Sequence, residues 1–183
     1  MRYTASHYND WINKEIMVQL FLVYIGGTAP GANIELHDVR FVAADNIEQT
    51  HEQLRQQWFG TVKGLHLDAY MQVNHIDGYA VSLQPSPQQS ELKLFFVNFG
   101  GYYPNKIAEQ HEFMLCVAPS AAAAKARAKT LLLTDAESQH KDDLLELDDC
   151  FALEQLQGLY VHLTPSGQSQ PMHPDWSGYE VIG

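Results

Sequence analysis

The chain has 183 residues, 45 % hydrophobic and 18 % charged, a composition that fits one ordinary folded domain or two small ones. Its 22 acidic and 11 basic residues leave a formal charge of -11, a field that opposes phosphate backbones and argues against nucleic acid as a partner. Cys116 and Cys150 lack metal-ligand spacing and are too few to staple a secreted mini-domain; they point to a reducing cytoplasm, with a disulfide between them left open.

From the N-terminus, residues 1–17 carry neither the basic start nor the apolar run of a signal peptide and read as an extension. No apolar run reaches the roughly 20 residues needed to span a bilayer, so no membrane is expected. Leu20 to Ile25 is apolar on both alternating sets and predicts a strand buried on two faces. Gly26-Gly27 follows, read as a tight turn with positive φ. A second strand then places Glu35, His37, Val39, Phe41 and Ala43 on one face. Asp45 and Glu48 suggest a capping box opening a helix of about 13 residues, with Ile47, Leu54 and Trp58 as its apolar stripe. A third strand alternates Leu65, Leu67, Ala69, Met71 and Val73 with His66, Asp68 and Gln72. The turn at Asp77-Gly78 leads into a fourth strand ending near Leu83.

The chain then repeats itself. "LFLVYIGGTAPGANIELHDVRFVAA" (20–44) aligns without a gap to "LFFVNFGGYYPNKIAEQHEFMLCVA" (94–118), pairing Gly26 with Gly100, Gly27 with Gly101, Glu35 with Glu109 and His37 with His111. "LHLDAYMQVNHIDGYAVSL" (65–83) likewise matches "LELDDCFALEQLQGLYVHL" (145–163). Ser120 is placed as the cap of the alanine-rich second helix. The expected fold is α+β: two tandem strand-strand-helix-strand-strand repeats, 18–84 and 92–164, mainly antiparallel, with one helix each. A linker at 85–91 joins them by a pseudo-twofold or in a common sheet, and 165–183 form a tail with an edge strand. A homodimer is the other way to complete burial.

Repetition of Gly-Gly and Glu-x-His marks Gly26, Gly27, Glu35, His37, Gly100, Gly101, Glu109 and His111 as candidate small-ligand residues. Glu35, His37, His66 and Asp68 are candidate ligands of a divalent metal, since imidazole and carboxylate suit zinc, manganese or iron. Glu35 and His37 are expected at the end of their sheet face left uncovered by the helix, near Trp58. Strict alternation puts His66 and Asp68 opposite their strand's apolar face, which argues for two separate sites or none. The competing reading is a non-catalytic structural or interaction module in which buried polar residues satisfy one another. Hydrolase elbows, His-Glu-x-x-His and Cys-x-x-Cys are absent from the sequence.

At "IELHDVRF", "LHLDAYMQV", "DGYAVSL" and "FFVNFGGYYPNKIAEQHEF" the chain resembles a bacterial family known as domain of unknown function 1543, over about residues 18–163. The resemblance implies His-x-Asp-Asp in the second unit. Here Glu146, Asp148 and Asp149 stand there instead, which makes the first unit the better site. It implies no substrate or cofactor.

Overall fold

The structure, a computed structural model, describes residues 18–132, 138–139 and 150–183. The N-terminal extension and the second-unit positions Glu146, Asp148 and Asp149 lie outside the described residues. The first repeat runs β1 (Gln19–Thr28), β2 (Leu36–Ala44), a 3-10 turn (Glu48–Thr50), α1 (His51–Gln57), β3 (Thr61–Gln72), β4 (His75–Ile76) and β5 (Tyr79–Gln84). The second runs β6 (Lys93–Tyr102), β7 (Gln110–Ala118), α2 (Ala121–Ala128), β8 (Ser138–Gln139), β9 (Cys150–Ala152), β10 (Gln155–Leu156) and β11 (Leu159–Pro165), and β12 (Trp176–Val181) follows.

Each repeat centres on its most apolar strand. β1 is flanked by β2 and β3, both antiparallel to it, and β12 adds to the outer edge of β3. In the second repeat β6 lies between β7 and β9 in the same register: Phe95 faces Ala152 as Phe21 faces Gln72. The third sheet is shared, with order β10-β11-β5-β4. There Val81 pairs with Leu163 and Leu83 with Val161, while Ser82 and His162, equivalent residues of the two repeats, face one another. This self-complementary register is what a local twofold requires, and it passes between Ser82 and His162.

Two reciprocal tethers obey the same symmetry. Asp77, at φ 52° in the turn before β5, accepts from Val117 N at 2.7 Å and from Arg127 Nη2 at 2.6 Å. Its counterpart Gln157, also at φ 52°, accepts from the equivalent Ala43 N at 3.1 Å and donates to Gln53. Gly78 and Gly158 follow with φ of 87° and 84°, the conformation a tight hairpin demands.

Three apolar clusters result. Phe21, Val23, Ile25, Leu65 and Leu67 pack under α1 with Ile47, Leu54 and Trp58. Phe95, Val97, Cys116 and Cys150 pack under α2 with Ala124 and Ala128. Between the repeats, Leu20, Leu22, Met71 and Val73 meet Leu94, Phe96, Leu115 and Leu163. Cys116 and Cys150 are both buried and are not joined by a disulfide.

The first helix is shorter than its sequence suggests. α1 is preceded by a 3-10 turn, and the reciprocal cap sits one residue later than Asp45 and Glu48: Asn46 Oδ1 accepts from Gln49 N, and Gln49 Oε1 accepts from Asp45 N. Asn and Gln satisfy terminal amides as Asp and Glu would, so the residue types mislead by one position. Ser120 caps α2 by accepting from Ala123 N.

The third strand departs from strict alternation for a definite reason. Tyr24 pairs with Ala69 but Ile25 with Leu67, so Asp68 is an extra residue in a β-bulge. One inserted residue exchanges the faces of everything beyond it. Leu65 and Leu67 therefore pack under α1, whereas Met71 and Val73 enter the core between the repeats. The five apolar residues of this strand do not share one face.

Candidate functional site

Gly26 pairs with His37 on one side and with His66 on the other. The three positions form a row across β2, β1 and β3, and a residue with a side chain in the middle would separate the imidazoles. A methyl group on Gly26 would meet His66 Nε2 at 2.6 Å and His37 Nε2 at 2.8 Å. The glycine is therefore a floor. Gly26 and Gly27 are extended residues of β1, and neither they nor Gly100 and Gly101 have positive φ, which corrects the tight-turn reading. Gly27 points to the opposite face, where Trp58 lies 3.0 Å from the place of a Cβ. Trp58 and the end of α1 are thus across the sheet from Glu35 and His37, not beside them.

The bulge brings the remaining residues in. His66, one residue before Leu67 and two before Asp68, shares the face of Gly26 and His37 because the alternation resets at Asp68. His66 Nε2 lies 3.2 Å from Glu35 Oε1 and 3.5 Å from Asp68 Oδ1, and His37 Nε2 lies 3.1 Å from Asp68 Oδ2. Alternation had separated these pairs into two sites; they form one cluster. The contact nearest Glu35 is the buried His66 rather than His37.

The orientation of His66 follows from its surroundings. Its Nδ1 is 2.9 Å from Gly64 O, an acceptor that fixes the ring and turns Nε2 towards Glu35 and Asp68. That nitrogen is buried and has no hydrogen-bond partner among the described residues; the same holds for Asp68 Oδ2. Carboxylates converging in this way repel one another unless a cation lies among them. Glu35, His37 and His66 each offer one ligand atom, all within 4.8 Å of one another.

Above His66 lies Tyr179, with ring centroids 4.1 Å apart. Tyr24 stacks on His37 at 5.3 Å and 9°. Burial, then the charges of Asp68 and Asp38, push the Tyr24 phenol above its ordinary pKa, so it stays a neutral hydrogen-bond donor at the edge of the cluster. Neither tyrosine stood out in the sequence as part of a site; Tyr24 lies inside an apolar strand and Tyr179 in the tail.

The second repeat keeps the floor, and the counterparts of His66 and Asp68, Glu146 and Asp148, lie outside the described residues. A Cβ on Gly100 would meet Glu109 Oε1 at 2.3 Å, and Glu109 Oε2 is 3.5 Å from His111 Nε2. Asn98 stands where the first repeat has Tyr24, with its Nδ2 3.3 Å from His111 Nδ1. Glu109 thus turns onto the glycine and towards His111, whereas Glu35 turns towards His66.

The family's sequence profile matches residues 32–83 and 106–156, one stretch in each repeat. The chain belongs to the family described as Domain of Unknown Function (DUF1543). The DUF1543 match spans Glu35, His37, His66 and Asp68 in the first repeat and Glu109 and His111 in the second. The chain is also similar to protein Il1583 from Idiomarina loihiensis, known from a crystal structure. Identity is 38 %, the TM-score is 0.72, and the match covers 91 % of this chain and 99 % of that one. No curated protein matches the chain. No helix among the described residues is long and apolar enough to cross a membrane.

Proposed function

We propose that the first repeat binds one divalent transition metal through Glu35, His37, His66 and Asp68, and that the protein uses this ion to bind a small ligand. The carrying observation is the buried His66 Nε2, which faces the carboxylates of Glu35 and Asp68 while Nδ1 is held at Gly64 O. Two carboxylates and two neutral imidazoles carry a charge near that needed to neutralise a dication, and the nitrogen and oxygen donors suit zinc, manganese or iron.

Distances support the same reading. Ligands each about 2.0–2.2 Å from a tetrahedral ion are separated by roughly 3.3–3.6 Å. The His66–Glu35, His66–Asp68 and His37–Asp68 contacts run from 3.1 to 3.5 Å, whereas charge-assisted N–H···O bonds contract to about 2.7–2.9 Å, and the Glu35, His37 and His66 atoms together lie within 4.8 Å. The Gly64 carbonyl would orient His66 as an outer partner of the metal. The ion would supply Lewis acidity, and the partly exposed Glu35 and His37 leave its outer side open to solvent and ligand.

Two buried cysteines that form no disulfide with one another are consistent with a reducing cytoplasm, where we place the protein. The test of the metal is thermal. A ligand bound only to the native state stabilises it, so chelation should lower the melting temperature of the parent. His37→Ala should abolish that response while His111→Ala keeps it. A parent indifferent to chelator, with His37→Ala merely destabilised, would support a structural hydrogen-bonding role instead.

A further inference from the structure

A second feature meets this cluster at Tyr24. Between the repeats is a cavity of about 410 Å³, larger than the roughly 150 Å³ that holds a benzene ring in an apolar protein cavity. Leu22, Tyr24 and Met71 form one wall and Phe113 and His111 of the second repeat the other, with Met172 of the segment before β12 at its edge. Tyr24 belongs to both places: it lines the cavity and stacks on His37. It stands two residues from Gly26 on β1, about 7 Å along the strand.

Resting on the metal reading, we propose that this cavity holds the apolar body of a small organic ligand whose oxygen-rich anionic head reaches the metal at Glu35, His37 and His66. A mostly apolar pocket with a few convergent polar groups at one end is the usual form of a small-molecule site. The first repeat's metal attracts the head, and the second repeat supplies the opposite wall for the body. The two units then take different parts: the first supplies the metal ligands, and the second faces the body of the ligand with Phe113 and His111. The Tyr24 phenol stands at the junction, lining the cavity and stacked on His37, as a donor to the head group.

The test compares two chelating probes on the zinc-loaded full chain by isothermal titration calorimetry: acetohydroxamate, which is all head, and 4-phenylbutanohydroxamate, which adds the body. A further probe, 4-fluorotoluene, is titrated into metal-free protein by ¹⁹F NMR and reads the cavity alone. The phenyl compound should bind about 100-fold more tightly than acetohydroxamate, given the apolar area it removes from water. Met172→Trp and Phe113→Trp, which fill the cavity from opposite sides, should each cut that gain to below about 10-fold; having both keeps the test usable if Phe113→Trp folds poorly. Equal affinities for the two hydroxamates in zinc-loaded protein would overturn the proposal while leaving the metal site standing. Binding of 4-fluorotoluene without any binding of zinc or acetohydroxamate would also overturn it, by removing the head-group site and the metal reading together.

Discussion

Replacing Gly26 by alanine separates a glycine kept for room from one kept for a turn. Because Gly26 is extended strand without positive φ, alanine costs no backbone strain there and on propensity alone should stabilise by about 0.5–1 kcal/mol. The added methyl would stand 2.6 Å from His66 Nε2 and 2.8 Å from His37 Cδ2 and Nε2, well inside contact. His66 is fully buried and cannot swing into solvent, so overpacking of about 1–3 kcal/mol applies. The net expectation is a loss of up to about 2.5 kcal/mol, centred on roughly 1 kcal/mol, from the difference of those two ranges. Gly100→Ala is the internal control: its methyl would meet Glu109 and His111, whose side chains are 30 % and 55 % exposed and can move aside. That variant should be neutral or stabilised by up to about 1 kcal/mol. Urea denaturation of the metal-free proteins measures both, and zinc titration reads the site. Gly26→Ala at least as stable as the parent and still binding zinc would refute the floor role.

Asp77→Asn keeps a residue tolerant of positive φ in the turn but removes the charge that holds Arg127 and Val117 N; urea denaturation should show a loss of about 1–2 kcal/mol, reduced by high salt. Burial pushes the Cys116 thiol up to about 11, so the native protein should react with a thiol reagent at pH 8 only after unfolding. Because that folded pKa is raised, the stability involved is complete below the ordinary thiol range and falls as pH rises towards about 11. Cys116→Ala should flatten that decline, and the Tyr24 and Tyr70 phenols, also raised mainly by burial, should leave a residual slope above them; an unchanged pH profile would count against the buried-thiol account.

Much of this architecture is legible in the residues. Apolar runs at Leu20–Ile25 and Leu94–Phe99 mark the central strands because both faces of each sheet are covered. Repeated Val81, Leu83, Val161 and Leu163 hold the self-complementary pairing, since a symmetric sequence pairs with itself symmetrically. The four metal-ligand candidates are also visible as residue types. Their convergence is not, because it depends on a single inserted residue at Asp68 that switches the face of half a strand, and periodicity carries no signal for one bulge. Gly26 misleads for a related reason. Glycine in a sequence suggests a turn, yet here the absence of a side chain matters through neighbours 11 and 40 residues away, His37 and His66, that only strand pairing reveals.

The most direct measurement of the central claim is metal content after equilibrium dialysis against zinc, manganese and iron(II) in turn, read by elemental analysis on the parent, His66→Ala and His111→Ala. The parent and His111→Ala should each retain about one ion of the preferred metal per chain, and His66→Ala should retain none, because its Nε2 is the buried ligand. A parent that emerges without metal, or a His66→Ala protein that holds as much as the parent, would contradict the assignment of a metal centre to Glu35, His37, His66 and Asp68.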